Sequence, residues 1–161
     1  MTTRLATSND LPAIVAIYNE TIASRMVTAD TEEVTVAQRQ SWFDSHTQLR
    51  PIYVYEQDEK VVAWLSYKSF YGRPAYDGTV EISIYITGRA QGQGLGKYLL
   101  EFAQTQAKQL NIKVLLAFIF SHNIPSIKLF AAFEYQQWGE LPNVAIMDGN
   151  HYSLTILGKH I

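Results

Sequence analysis

The chain contains no cysteine. That excludes a disulfide scaffold, a thiolate metal site and a cysteine nucleophile together, and it accords with a reducing compartment. Charge is sparse, at 17% of residues, and has no basic excess: 13 Lys and Arg stand against 15 Asp and Glu, for a net charge of -2. A dedicated nucleic-acid binder usually carries a basic surplus or a basic run, so that class is set aside. Long hydrophobic runs are missing too. The longest, Val114 to Phe120, covers seven residues, against the roughly 20 needed to span a bilayer. Near the N-terminus, Asp10, Pro12 and Glu20 surround a short apolar stretch, which is not the charged-then-apolar layout of a signal peptide. These absences predict a cytoplasmic protein with no membrane partner.

Further chemistry is excluded by spacing. The four histidines, His46, His122, His151 and His160, form no i, i+4 pair and have no carboxylate at ligand spacing, so no metal is expected. No G-x-S-x-G elbow supports a serine hydrolase. What remains is 161 residues, 47% of them apolar. That predicts one domain over residues 1–161 with a core able to fold without staples.

Ser8-Asn-Asp10 before Pro12 reads as a helix start, followed by Leu11, Ile14, Val15, Ile17, Tyr18 and Ile22 at helical spacing. A polar stretch, Thr28 to Thr35, leads to a second helix near Val36 to Gln48, with Trp42 and Phe43 as its apolar stripe. Ile52 to Glu56 and Val61 to Tyr67 flank the polar turn Gln57-Asp-Glu-Lys60 and predict an antiparallel hairpin. Ser69 to Gly78 is a loop. Thr79 to Ile86 alternates, with Val80, Ile82, Ile84 and Ile86 on one face and Glu81, Ser83 and Tyr85 on the other. A helix from about Gly94 to Leu110, a central strand at Val114 to Phe120 and a helix opening at Ser121 to Pro125 follow. Closing strands are expected at Tyr135 to Leu141 and His151 to Leu157. The order β-α-α-β-β-β-α-β-α-β-β predicts a mixed α+β fold: a mostly antiparallel sheet with one βαβ crossover.

The sharpest local signal is Gln91-Gly-Gln-Gly-Leu-Gly-Lys97, set between a strand and a helix. Glycines at alternate positions let backbone amides approach an anion, and the helix N-terminus adds its dipole. A Walker A loop fails twice, because Tyr98 follows Gly96-Lys97 and position 91 is Gln. A dinucleotide fingerprint starting at Gly92 fails where Lys97 replaces its last glycine.

Gln91-x-x-Gly94-x-Gly96 after a strand resembles the acetyl-CoA loop, Q/R-x-x-G-x-G/A, of the GNAT N-acetyltransferase superfamily. The element order is similar to that fold along the whole chain. Within it, the phosphinothricin and methionine sulfoximine acetyltransferase branch is matched by several segments in order. They are Ile17-Tyr-Asn-Glu20, Arg39-Gln-Ser-Trp-Phe43, Arg73-Pro-Ala-Tyr-Asp77, Thr79-Val-Glu-Ile-Ser83 and Ser121-His-Asn-Ile-Pro-Ser126. The resemblance implies a GNAT fold, acetyl-CoA as co-substrate, a small amino-acid analogue as acceptor and a homodimer. It implies that the backbone of Ile84, Tyr85 and Ile86 pairs with the pantetheine arm. Gly92, Gln93, Gly94, Leu95, Gly96 and Lys97 would hold the pyrophosphate, and Asn123 would contact the cofactor. Acceptor contacts are implied at Tyr71, Gly72, Arg73, Glu81, Ile82 and Ser83.

Acetyl transfer needs a neutral amine, so a base must take a proton from the ammonium. Glu81 is the only carboxylate on its strand. The strand pattern alone leaves it open between a solvent-facing residue and a base whose pKa is raised by apolar neighbours. The resemblance implies the base. Arg73, eight residues earlier, suits a carboxylate clamp or is an ordinary exposed loop arginine, the commoner fate of a single Arg. Tyr71 and Tyr76 wall a pocket or pack on the sheet. Where many superfamily members have a tyrosine as general acid, this chain has Phe130, which leaves Tyr135, Tyr85 or water, or a thiolate that departs unprotonated, and the acid is unassigned. Two other readings stand beside this one: a non-catalytic acyl-CoA sensor on the same fold, and a transferase for another small amine or a peptide N-terminus.

Overall fold

Alternating branched side chains over Thr79–Ile86 and a continuous apolar run over Val114–Phe120 place two strands, β4 and β5, side by side at the centre of a seven-stranded sheet. The computed structural model describes residues 2–161. Around these two lie β1 (Thr2–Leu5), α1 (Leu11–Glu20), α2 (Val36–Asp44), β2 (Ile52–Gln57) and β3 (Lys60–Ser69) on the N-terminal side. On the C-terminal side lie α4 (Ile124–Ala132), β6 (Gln136–Met147) and β7 (Asn150–His160), and α3 (Leu95–Gln109) links β4 to β5. The sheet order is β1-β2-β3-β4-β5-β7-β6. Every neighbouring pair is antiparallel except β4–β5, which is parallel as a βαβ crossover requires.

Both faces of the sheet are covered. On one, α3 and α4 bury Leu99, Leu100, Ala103 and Phe130 against Val80, Ile82 and Leu115. On the other, α1 and α2 pack Ile14, Ile17, Tyr18 and Trp42 against Val54, Trp64 and Tyr85. Burying a side chain of this size stabilises by about 1.5–3 kcal/mol. The Trp64 indole also donates to the Ile14 carbonyl at 3.1 Å, which ties β3 to α1. The hairpin predicted at residues 57–60 turns on Asp58 and Glu59, both left-handed (φ 50° and 59°), the conformation a two-residue turn between twisted strands demands.

Three elements differ most from expectation. The second helix stops at Asp44 instead of near Gln48. Ser45 Oγ bonds the Trp42 carbonyl and His46 Nδ1 lies 2.8 Å from the same oxygen, which takes it out of the helical ladder. The two closing strands are longer than predicted. Register shifts at Gln137/Gly139 and Leu141/Ala145 interrupt the alternation that would have revealed β6. The loop before β4 also contains a short 3-10 turn, Pro74–Tyr76.

Candidate active site

β4 and β5 pair only at Thr79–Val114, Val80–Leu115 and Glu81–Leu116. Beyond that, β4 stays with β3 as far as Ile86, while β5 follows β7 as far as Phe120. The strands therefore part, leaving a cleft lined by Ile82, Ser83, Ile84 and Tyr85 on one side and Ala117, Phe118 and Ile119 on the other. Asn123, Ser126 and Phe130 from the α4 end and Val27 from the α1–α2 loop complete the walls. Backbone polar groups along this open edge need partners, and an extended chain carrying amides, such as a pantetheine arm, supplies them. Ile84 and Tyr85, two of the three residues expected to meet the pantetheine arm, line this cleft. Ile86 is half-buried beside the glycine turn, 3.7 Å from the position a β-carbon on Gly96 would take.

The glycine turn follows directly. Gly92 and Gly94 both adopt left-handed backbone, at φ +73° and +79°. Gln91 N donates to the Gly88 carbonyl and Tyr98 N to the Gly94 carbonyl, and the amides of residues 92–97 between them have no backbone acceptor. Unpaired amides at the start of α3 make an anion site that fits a pyrophosphate. Gly96 departs from the expected pattern. It lies inside α3 with ordinary φ, and its missing β-carbon instead lets α3 approach α4, since Cβ would stand 3.1 Å from Leu129 Cδ2. The Leu95 side chain is buried in the core and offers the turn only its amide, while Lys97 is exposed. Gln93 bonds the Arg89 carbonyl at 3.2 Å and borders a separate cleft at the β2–β3 hairpin, whose lining includes no residue of β4. Asn123, 6% exposed, caps α4 by accepting from Ser126 N at 3.3 Å.

Glu81 sits where the pairing stops. Burial pushes its pKa above the ordinary carboxylate value, and Lys68, its cross-strand neighbour on β3, opposes that only in part. Tyr85, on the same face, stacks on Trp64 at 4.4 Å, and burial keeps its hydroxyl protonated. Phe130 lines the cleft. Tyr135 stands edge-on to it at 4.9 Å, outside the lining, with its buried hydroxyl unpartnered.

Besides Glu81, the expected acceptor residues fall in two places. Ile82 and Ser83 line the cleft. Tyr71, Gly72 and Arg73 form an exposed loop entering β4, where Tyr71 and Tyr76 cluster with Phe70 at centroid distances of 5.4 to 5.8 Å. Neither Arg73 nor Glu81 lines the cleft itself.

Sequence reasoning missed a second group around the α1–α2 loop. The Tyr18 hydroxyl donates to Asp30, and Arg25 bonds Asp148 and the Ile22 and Thr31 carbonyls. The His122 ring nitrogen Nε2 lies 2.8 Å from the Arg25 carbonyl, so this histidine braces the loop. These residues are far apart in sequence, and no local pattern announces their meeting. Among the described residues, no three His, Asp or Glu side chains are placed to hold a metal ion, and no helix is long and apolar enough to cross a membrane.

Comparison with known proteins places this geometry. The family described as "Acetyltransferase (GNAT) domain" matches residues 3–156. The chain is 54% identical to "Putative phosphinothricin acetyltransferase YwnH" of Bacillus subtilis, over 100% of this chain and 99% of that protein. It is 33% identical to "L-methionine sulfoximine/L-methionine sulfone acetyltransferase" of Pseudomonas aeruginosa, over 92% of this chain and 87% of the relative. The crystal structure of a GNAT superfamily phosphinothricin acetyltransferase from Sinorhizobium meliloti in complex with AcCoA superposes with a TM-score of 0.92. It covers 99% of this chain and 88% of that one at 25% identity.

Proposed function

The chain belongs to the GNAT acetyltransferase family and is an acetyl-CoA-dependent N-acetyltransferase; on that premise we propose that it acetylates the α-amine of a small amino acid of the phosphinothricin, methionine sulfoximine or methionine sulfone type. The observation that carries this reading is the placement of Glu81, a carboxylate with a raised pKa at the point where β4 and β5 part. The open edge of β4 from Ile84 to Ile86 binds the pantetheine arm, the amides of residues 92–97 bind the pyrophosphate, and Asn123 flanks them. Glu81 takes a proton from the acceptor ammonium, directly or through one water. The freed nitrogen attacks the thioester carbonyl, the new C–N bond forms as the C–S bond breaks, CoA leaves with the sulfur electron pair, and the nitrogen gives its second proton to water. Tyr85 faces the cleft and Tyr135 does not, so Tyr85 or water protonates the thiolate. Arg73, on the loop with Tyr71 and Gly72, pairs with the α-carboxylate, so that one cation and one anion match a zwitterion.

The relatives' substrates support this acceptor class. Exposed Trp138, Leu141, Val144 and Ile146 on the edge strand β6 support a homodimer, and the absence of cysteine supports a cytoplasmic location. The test is CoA release from acetyl-CoA with a panel of amino acids, their sulfone and sulfoximine analogues, polyamines and peptides. Turnover confined to peptides or polyamines removes the acceptor assignment. Acetyl-CoA binding with no CoA release for any amine tested favours the sensor reading that Phe130 raises.

A further inference from the structure

Four aromatic rings stand together on the α1–α2 side of the sheet. Tyr85 stacks on Trp64 (4.4 Å), Trp64 meets Trp42 edge-on (5.5 Å), and Tyr18 leans on Tyr85 (5.2 Å). Arg39 of α2 closes the group, with its guanidinium carbon 4.4 Å from the Tyr18 ring centre and 5.0 Å from that of Trp42. The ion pairs among the described residues involve Arg4, Arg25 and Lys159, and none involves Arg39. Asp30 is nearby, but it is already engaged by the Tyr18 hydroxyl. A guanidinium over ring faces gains from the rings while its N–H groups, which lie in its own plane, stay available to an acceptor.

The position matters for the acceptor. Arg39 and Glu81 both lie within electrostatic reach of the Tyr85 hydroxyl and act on it in opposite directions. Glu81 and Tyr85 share a face of β4, about 13 Å apart along the strand, with Ser83 midway between them on the cleft wall. From amine nitrogen to the fourth side-chain atom a linear amino acid spans about 6 Å. An acceptor whose amine lies over Ser83, one water from Glu81, and whose side chain points along β4 therefore directs its far end at the aromatic group.

We infer that Arg39 binds the distal oxygen-rich group of the acceptor side chain, a sulfone, sulfoximine or phosphinate, while Tyr18, Trp42 and Tyr85 pack against its methylene stem. This assignment deepens the amino-acid reading given above and rests on it. A tetrahedral sulfur or phosphorus presents two oxygen or nitrogen acceptors, and a forked donor meets both. A thioether presents neither. Arg73 and Arg39 then divide the acceptor, the first taking the α-carboxylate and the second the far end.

The test compares methionine sulfone with methionine, which share amine, carboxylate and chain length, in the wild type, Arg39→Met and Arg39→Lys. The readout is the ratio of kcat/KM for the two acceptors. Arg39→Met is expected to lower the sulfone-to-methionine ratio at least tenfold, with Arg39→Lys restoring part of it. A purely structural role lowers both acceptors together and leaves the ratio unchanged, and that result in a folded variant overturns the assignment. If Arg39→Met fails to fold, Arg39→Lys carries the comparison, because it keeps stem and charge and loses only the fork; an unchanged ratio there overturns the assignment equally. Trp42 and Trp64 border the group, so tryptophan fluorescence gives a binding titration independent of turnover. Should the wild type acetylate neither acceptor, the amino-acid reading falls, and fluorescence decides Arg39 separately. Sulfone binding stronger than methionine binding, and lost in Arg39→Met, keeps the Arg39 assignment; no Arg39-dependent preference removes it.

Discussion

Alanine at position 94 would have to hold φ near +79°, where a β-carbon crowds the following carbonyl at a cost of about 1–2 kcal/mol. Space is not the obstacle, since nothing lies within 4 Å of where that carbon would stand. The strain belongs wholly to the backbone, and the chain relieves it by rotating the peptides that cap α3. Rotation turns the unpaired amides of the 92–97 turn away from a common anion. In a domain of this size, about 1–2 kcal/mol lowers the unfolding midpoint by about 2–8 °C, which leaves the protein folded. Calorimetric affinity for acetyl-CoA is expected to fall at least tenfold, about 1.4 kcal/mol. Gly96→Ala is the matched control. Its β-carbon meets the flexible end of Leu129 at 3.1 Å, and the helix-propensity gain of about 1 kcal/mol offsets the crowding. Its affinity should stay near that of wild type. A folded Gly94→Ala that binds acetyl-CoA normally, or a Gly96→Ala that loses as much, refutes the assignment of the turn.

Glu81→Gln should lower kcat by about 10²–10⁴ and flatten the acid limb of the pH–rate profile; wild-type turnover with an unchanged profile would assign the proton to water alone. The same variant has a stability signature. Because burial raises the Glu81 pKa in the fold, its stabilising contribution is complete below the unfolded carboxylate value and is lost as pH rises through the folded one. Thermal scans should therefore show Glu81→Gln gaining on wild type between acid and neutral pH, and a constant difference would contradict the burial. Arg73→Ala should raise KM for amino acids and leave acetyl-CoA affinity alone; equal losses for an amino acid and its carboxamide would remove Arg73 as the clamp. In Gly158→Ala, the new carbon would stand 2.0 Å from Trp138 Cε3, so a loss of about 1–3 kcal/mol is expected. Trp138→Ala in the same background should recover part of it, and no recovery would show that the clash is not with that ring.

The strands and loop that frame the site were legible because each carries a short-range period. Thr79–Ile86 and Val114–Phe120 have the predicted bounds: one alternates, and the other is apolar throughout. Gly92 and Gly94 were legible because a strand-to-helix turn needs left-handed backbone. Gly96 fell in the same motif for a different cause, helix-on-helix approach, which spacing along the chain does not encode. The ends of α2 depended on side chains competing for one carbonyl, and β6 on bulges, neither of which shows as a period. Tyr18, Asp30 and Arg39 come from α1, α2 and the loop between them, and only packing against β3 and β4 brings them beside Tyr85. Arg73 was legible as a loop cation, exposed or clamping, but its place outside the cleft lining depends on how the loop packs, which no local pattern records.

The parting of β4 from β5 makes the central sheet nearly two sheets. One part, β1 to β4, and the other, β5 to β7, are stitched by three residue pairs at one end, with α3 as the covalent strap. An occupant that hydrogen-bonds both lips acts as an extra strand in the seam, so rigidity across the middle of the molecule varies with occupancy. Amide exchange along Ile84 to Ile86 should slow when the seam is filled and quicken each time product departs. The enzyme would then be at its softest in the interval between one turnover and the next, when a new acceptor enters.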